Sequence, residues 1–378
     1  MNVLLLTNHL KDYAGSGIQI LELYRYFKLK CNKVMVYANV IENPIAAYFD
    51  KCDLCSDAQQ INPCDYEIIW SQHGVFSLLF DKEENSVFAA KIFSVHLSPF
   101  ENMELLQLPY MNQIGAYFVA NSLETKDRLH RLGVPMEKIH VSYNCAPSSF
   151  LNTSSPPQKL NRLVIISNHP PSEVLEASKI LKSKIQVDIF GLQSKVELVT
   201  PELIQKYDVV LTIGKTVQYA LLGNKVVYCY DHFGGMGYLS LKNYEIARYH
   251  NFSGRGGERK TADQIASEII NGFSDNRDFS TSLLGKEDYL IEYFMDKLLM
   301  LPSQNISAAQ QLLIKQFVPI ERKIRQLYLS HHAMSCTMLE LELEFKLKLK
   351  AIKKRNTLIS IFFLLCTLVS IFFFWLER

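Results

Sequence analysis

Residues 207–255 constrain this chain more than any other stretch, because strand, glycine turn, helix, strand and a second glycine turn follow one another without a gap. Residues 208–213 are apolar and β-branched, the pattern of a strand buried on both faces of a parallel sheet. Gly214 ends that strand, and Thr216 is placed to cap a short helix carrying Val217, Ala220 and Leu221 inward. The first amides of such a helix, with its dipole, suit an anion. Gly223 closes the helix, 226–230 form the next strand, and Gly234, Gly235 and Gly237 let the following backbone turn closely around a ligand. Consecutive parallel strands bring both turns to one sheet edge, where open α/β sheets bind ligands; glycines that merely make turns are the plainer alternative.

The rest of the chain continues the pattern. Short apolar runs at 3–7, 33–37, 67–70, 91–95 and 116–120 alternate with helical patterns at 18–29 and 123–132, so 1–146 reads as a doubly wound domain. Ser122 suits an N-cap, and Gly133 with Pro135 a stop. Residues 147–160 are rich in proline and serine and read as a linker. A second α/β domain, 161–304, has strands expected at 163–167, 186–190, 208–213 and 226–230, then amphipathic helices at 261–273 and 289–300. Residues 305–356 read as a helical stalk, kinked at Pro319, through which the chain could also self-associate.

With 378 residues, 48% of them hydrophobic and 21% charged, the chain is globular. A net charge of +2 excludes a global case for nucleic acid as partner. The eight cysteines form no staple-like framework and read as reduced thiols. Cys52, Cys55 and Cys64 with His73 resemble a zinc set, but a single CxxC is a weak signal and a chance cluster is the better reading; neither metal nor cofactor is expected. Residues 357–376 are free of charge, and about 20 residues at about 1.5 Å each span a bilayer core of about 30 Å, so a transmembrane helix is expected there. Lys346, Lys348, Lys350, Lys353, Lys354 and Arg355 precede it, while only Glu377 and Arg378 follow. The positive-inside bias then keeps the preceding chain in the cytoplasm, its basic end against anionic headgroups.

Several segments resemble bacterial glycosyltransferases of the GT-B fold, in particular family-4-like enzymes of surface-polysaccharide synthesis. They are ISNHPPSEVLEA from Ile166, VTPELIQKYDVVLTIGKTVQYAL from Val199, YDHFGGMGYL from Tyr230, NFSGR from Asn251 and, more loosely, VANSLETKDRLHRLGVPMEKIHVSYN from Val119. The likeness covers most of residues 1–300. It implies two Rossmann-like domains facing a cleft. A nucleotide-sugar donor would sit on the second, a glycan or lipid-linked acceptor on the first, and the enzyme would work at the cytoplasmic face of the inner membrane.

The candidate site follows from both readings. Gly15 and Gly17 lie between the first strand and first helix, where backbone approaches a phosphate or sugar closely. His96 and Glu101 lie in SVHLSPFE, and the resemblance puts a histidine at a comparable spot against the reacting sugar. Gly214, Lys215, Thr216, Gly234, Gly235 and Arg255 are expected around the diphosphate, the two cations through charge-assisted hydrogen bonds. Where many members of that family carry a glutamate pair, this chain has Val210 and Gln218, whose amide can still bond a ribose. Asp231 and His232 are the remaining acid/base candidates, with Asp231 as a turn cap the plainer alternative. Two other classes remain open: a nucleotide-sugar epimerase, which needs no acceptor, and a non-catalytic membrane-anchored scaffold that binds the donor.

Overall fold

The computed structural model describes residues 1–81, 87–192 and 194–376, without the side chains of 343, 349 and 351–376. It divides into Met1–Glu321 and Arg322–Arg378.

The first part holds two α/β sheets. One is built from β1 (Asn2–Leu10), β2 (Lys33–Ile41), β3 (Leu54–Cys55), β4 (Ile68–Ser71), β5 (Phe88–His96), β6 (Tyr117–Ala120) and β7 (Ile139–Val141), all parallel, in the order β3-β2-β1-β4-β5-β6-β7. The other contains β8 (Arg162–Ile166), β9 (Gln186–Phe190), β10 (Val209–Thr212), β11 (Val226–Asp231) and β12 (Gly234–Tyr238), in the order β12-β11-β10-β8-β9. Only β12 is antiparallel there, paired with β11. Residues 234–238, expected as a ligand-binding turn, are thus an edge strand.

Alternation along the strands separates the cores. Val3 and Leu5 of β1 pack with the helix Gly15–Lys28, while Leu4 and Leu6 join a second cluster on the opposite face. Each fully buried Leu or Val contributes about 1.5–3 kcal/mol, which is why residues 3–6 of β1 read as an unbroken apolar run. Val164, Val210, Val217 and Val227 of the second sheet belong to the same cluster as Val3 and Leu5. One apolar core therefore runs between the two sheets, and the chain's 147–160 connection joins halves that pack on each other.

After the second sheet the chain returns to the first. β13 (Gln304–Ile306) pairs antiparallel with β5, and Ile306 and Ile314 are buried in the first sheet's outer core, with Leu313 and Phe317 against it. The carboxylate of Glu321 accepts hydrogen bonds from Ser77 N and Oγ and from Tyr110 Oη. The segment expected as stalk from 305 thus begins as packed structure. The helical run is briefly interrupted at 316–317, between Ala308–Lys315 and Val318–Leu376, and Pro319 sits in the first turn of the second helix, where its missing N–H breaks no intrahelical bond. The run 357–376 lies outside the residues whose side chains are described, and no helix among the described residues is long and apolar enough to cross a membrane.

Candidate functional site

The carboxyl ends of β1, β4 and β5 on one sheet and of β8, β9, β10 and β11 on the other open into a common cleft of about 590 Å³. Parallel strands place their βα loops at that edge, so the loops converge there. His9, Gly15, Ser16, His73, Ser98, Glu101 and Glu104 line one wall; Ser167, His169, Gly191, Gly214, Lys215, Thr216, Asp231 and His232 line the other.

On the second-sheet wall the helix Lys215–Leu222 starts at Gly214, whose φ of 58° and ψ of −136° favour a residue without a β-carbon. Among the described residues no side chain caps this start. Thr216, expected as the cap, is the second residue inside the helix. Lys215 is partly buried, its side chain 9% exposed, with Nζ 2.6 Å from Glu22 Oε2 and donating to the Cys145 carbonyl at 2.7 Å. Glu22 also accepts from Tyr219 Oη at 2.5 Å. Burial pushes the Glu22 carboxyl above its usual range, and the Lys215 ammonium pulls it back. The lysine charge expected at a donor phosphate instead ties the helix Lys215–Leu222 to the helix Gly15–Lys28.

Asp231 accepts from the backbone N–H of His232 at 2.7 Å, as a turn cap does, and its Oδ1 lies 3.3 Å from His232 Nδ1. His232 is half-exposed and packs on Phe233, with ring centroids 4.0 Å apart. Both residues line the cleft.

Six expected residues, His96 among them, do not line it. A β-carbon on Gly234 would lie 2.6 Å from the Glu258 carbonyl oxygen, and one on Gly235 2.1 Å from that of Cys229. Gly254 and Gly257 meet Gly234 and Gly235 equally closely, each at 2.3 Å. These four glycines let two stretches of the protein's own backbone touch, so Gly234 and Gly235 serve chain packing rather than ligand approach. Gln218 is buried and donates to the Tyr143 carbonyl at 2.8 Å, turned into the junction between the sheets. Arg255 is ion-paired to Glu124, which also lies 3.2 Å from His250 Nδ1. Gly17 is buried inside the first helix.

His96 closes β5 but is fully buried, its ring against Phe118 and its Nε2 2.9 Å from Ser94 Oγ. Burial lowers its pKa to about 3. His96→Ala is therefore expected to cost on the order of 2 kcal/mol of stability, from the lost packing and hydrogen bond, and to leave turnover per folded molecule unchanged. Thermal melts beside activity normalised to folded protein check this.

The histidine that reaches the cleft from this sheet's centre is His73, two residues beyond β4 and held at φ 58°. Its Nδ1 lies 3.0 Å from Thr7 Oγ1 and 3.4 Å from Asn8 N, and its ring stacks on His9 at 5.3 Å. Its Nε2 is 3.9 Å from Glu104 Oε1. Glu104 Oε2 accepts from the N–H groups of Leu97 at 2.7 Å and Ser98 at 3.1 Å. Burial raises the Glu104 pKa to about 8 in spite of those bonds, and burial lowers that of His73 to about 3. Sequence reasoning weighed His73 only as a zinc ligand and passed over Glu104. Among the described residues no three His, Cys, Asp or Glu side chains gather as a metal site. The available signal was the polar cluster Ser71-Gln72-His73-Gly74 directly after a buried strand, the position at which α/β sheets present side chains to ligands.

No protein-family model matches the chain, and no curated protein matches it. Among solved structures it is similar to Anabaena Alr3699/HepE in complex with UDP and glucose, at 13% identity over 79% of this chain and 99% of that one, with a TM-score of 0.49. It is also similar to the apo form of the lipopolysaccharide outer core galactosyltransferase WaaB, at 12% identity over 79% of this chain and 99% of that one, with a TM-score of 0.45. Likenesses this distant carry nothing about chemistry, which rests on the cleft's own residues.

Proposed function

We propose that the chain is a glycosyltransferase that moves a sugar from a nucleoside-diphosphate sugar to a glycan or lipid-linked acceptor. The observation that carries this is the pairing of the cleft's two walls. An uncapped helix start follows Gly214 on one wall, and a buried histidine and carboxyl group, His73 and Glu104, stand on the other. The amides after Gly214 suit the donor diphosphate, since a helix start offers both N–H donors and the positive end of the dipole. Among the described residues the lining holds no arginine, and the one lysine there is paired with Glu22. Backbone donors, with the Ser16 hydroxyl across the cleft, would then do the work that cations do elsewhere. Ile166, Phe190, Leu198, Val199 and Ile213 add an apolar surface beside the helix start, suited to a nucleoside.

The uncharged run 357–376 and the basic residues before it support a single-pass anchor in the inner membrane with the catalytic part in the cytoplasm. Exposed apolar side chains on the last helix, Leu327, Met334, Met338 and Leu341 among them, support self-association through it, although its apolar positions sustain no clean heptad.

The test incubates the full chain in detergent with a panel of nucleotide sugars and a membrane extract. Acceptor-dependent release of the nucleotide is expected from at least one donor. A changed sugar nucleotide formed without acceptor would point to an epimerase, binding without turnover to a scaffold, and no nucleotide binding at all would overturn the reading.

A further inference from the structure

Glu104 is held by one oxygen only. Two backbone N–H groups fix Oε2, while the neighbour of Oε1 is His73 Nε2, at 3.9 Å, on the cleft wall. That distance is too long for a hydrogen bond. It suits a third atom well, because two points so spaced can both lie within about 2.8 Å of a single hydroxyl oxygen. With Nδ1 as acceptor of the Asn8 backbone N–H at 3.4 Å, and the Thr7 hydroxyl at 3.0 Å turned to donate to it rather than to Gln72 Oε1 at 3.2 Å, His73 Nε2 carries the hydrogen. A hydroxyl placed between the two side chains would accept from His73 Nε2–H and donate to Glu104 Oε1. Asp231 and His232 show no such arrangement: Asp231 is engaged as a turn cap and His232 is half-exposed.

We propose that Glu104 is the group that takes the proton from the acceptor hydroxyl, with His73 as the positioning residue that orients this hydroxyl. The inference rests on the glycosyltransferase reading. The acceptor O–H bond breaks and its proton passes to Glu104 Oε1. The freed oxygen pair forms the bond to the anomeric carbon, and the bond from that carbon to the diphosphate oxygen breaks, its pair leaving with the nucleoside diphosphate. The groups that face Glu104 are His73 from beyond β4, His9 stacked behind it at the end of β1, and Glu101 on its own segment, whose charge further disfavours ionisation of Glu104. A carboxyl held neutral by burial becomes an effective base only as it ionises, so its action leaves a mark on the pH profile.

The experiment measures kcat and acceptor KM from pH 6 to 9 for the full chain in detergent, with donor affinity read separately by calorimetry. Wild-type kcat is expected to rise about tenfold per pH unit and to level off near the Glu104 pKa of about 8. Glu104→Gln keeps an acceptor for the Leu97 and Ser98 amides. It is expected to lower kcat by about a hundredfold or more, to flatten the profile and to leave donor affinity unchanged. Glu104→Asp is expected to keep the rise at a reduced kcat, and it carries the test should the glutamine variant fail to fold. His73→Gln is expected to raise the acceptor KM while keeping the rise. Sugar transfer by Glu104→Gln with wild-type kcat and profile, or a flat profile in Glu104→Asp, would overturn the role of Glu104 and leave the glycosyltransferase reading intact. Absence of transfer by wild type from every donor would overturn both.

Discussion

Lys215→Met is expected to unfold at a midpoint well below wild type, while the fraction that stays folded binds nucleotide as before. The Lys215 ammonium and the Glu22 carboxylate are both nearly closed to solvent, 9% and 6% exposed, and 2.6 Å apart. Removing one partner leaves the other as an uncompensated buried charge, a loss of about 3–5 kcal/mol. Glu22 then takes up a proton to escape the cost. Its folded-state pKa already lies above the usual 4.5, so the unfolded chain releases its proton first as pH rises, and the penalty grows above that value. The deficit of Lys215→Met should therefore shrink as pH falls towards 4.5 and widen towards neutrality. Adding Glu22→Gln should recover most of it, since a neutral amide still accepts from Tyr219 Oη. Denaturant titrations of the two single variants and the double, at pH 5 and pH 7.5, read the effect. Nucleotide affinity falling in a Lys215→Met protein of wild-type stability would restore this lysine to the diphosphate.

Gly191→Ala is expected to be as damaging, for a steric reason. Gly191 has φ +147°, and a β-carbon there would lie 1.8 Å from the Ser167 carbonyl oxygen, a backbone atom that cannot turn aside. The ends of β8 and β9 would have to separate, at about 3 kcal/mol or more, and the cleft residues Ser167 and Asn168 would move with them. Both melting temperature and nucleotide affinity should fall. Gly214→Ala is the control: nothing lies within 4 Å of its added β-carbon, so only the backbone strain of its positive φ remains, about 1–3 kcal/mol. Equal stability of Gly191→Ala and Gly214→Ala would show that the Ser167 contact does not constrain the fold.

The two kinds of glycine show why the site was only partly legible. A glycine in sequence says that backbone passes close to something or takes a positive φ. It does not say whether the close neighbour is a ligand or another stretch of the chain. Gly214 and Gly15 reach the cleft, whereas Gly234 and Gly235 lie against the backbone of Glu258 and Cys229. Charged residues carry the same ambiguity. Lys215 and Arg255 are in the segments the pattern marked, yet each faces a carboxylate, Glu22 or Glu124, more than a hundred residues away in sequence.

Histidine placement turned on a single strand position. His96 is the last residue of β5, its side chain directed to the face packed against Phe118, while His73 lies past the end of β4, where the backbone turns to a positive φ and delivers the ring to the cleft. Strand alternation decides such a question, and an error of one residue in the register or end of a strand reverses it.

By itself the sequence determined the longer parallel strands, β1, β2, β4, β5, β6, β8, β9, β10 and β11, because apolar β-branched runs of this length bury on both faces whatever their partners; the short strands β3, β7 and β13 and the glycine-rich edge strand β12 carry no such run. It likewise determined the helix after Gly214 and the N-cap of Ser122, which depend on neighbours only a few residues apart. The tertiary structure alone decided the return of 304–321 to the first sheet, the core shared by the two sheets, the Glu22–Lys215 link and the meeting of His73 with Glu104. Local periodicity records which side of an element is buried. The partner that buries it is chosen by packing among residues far apart in the chain, and no spacing in the sequence records that choice.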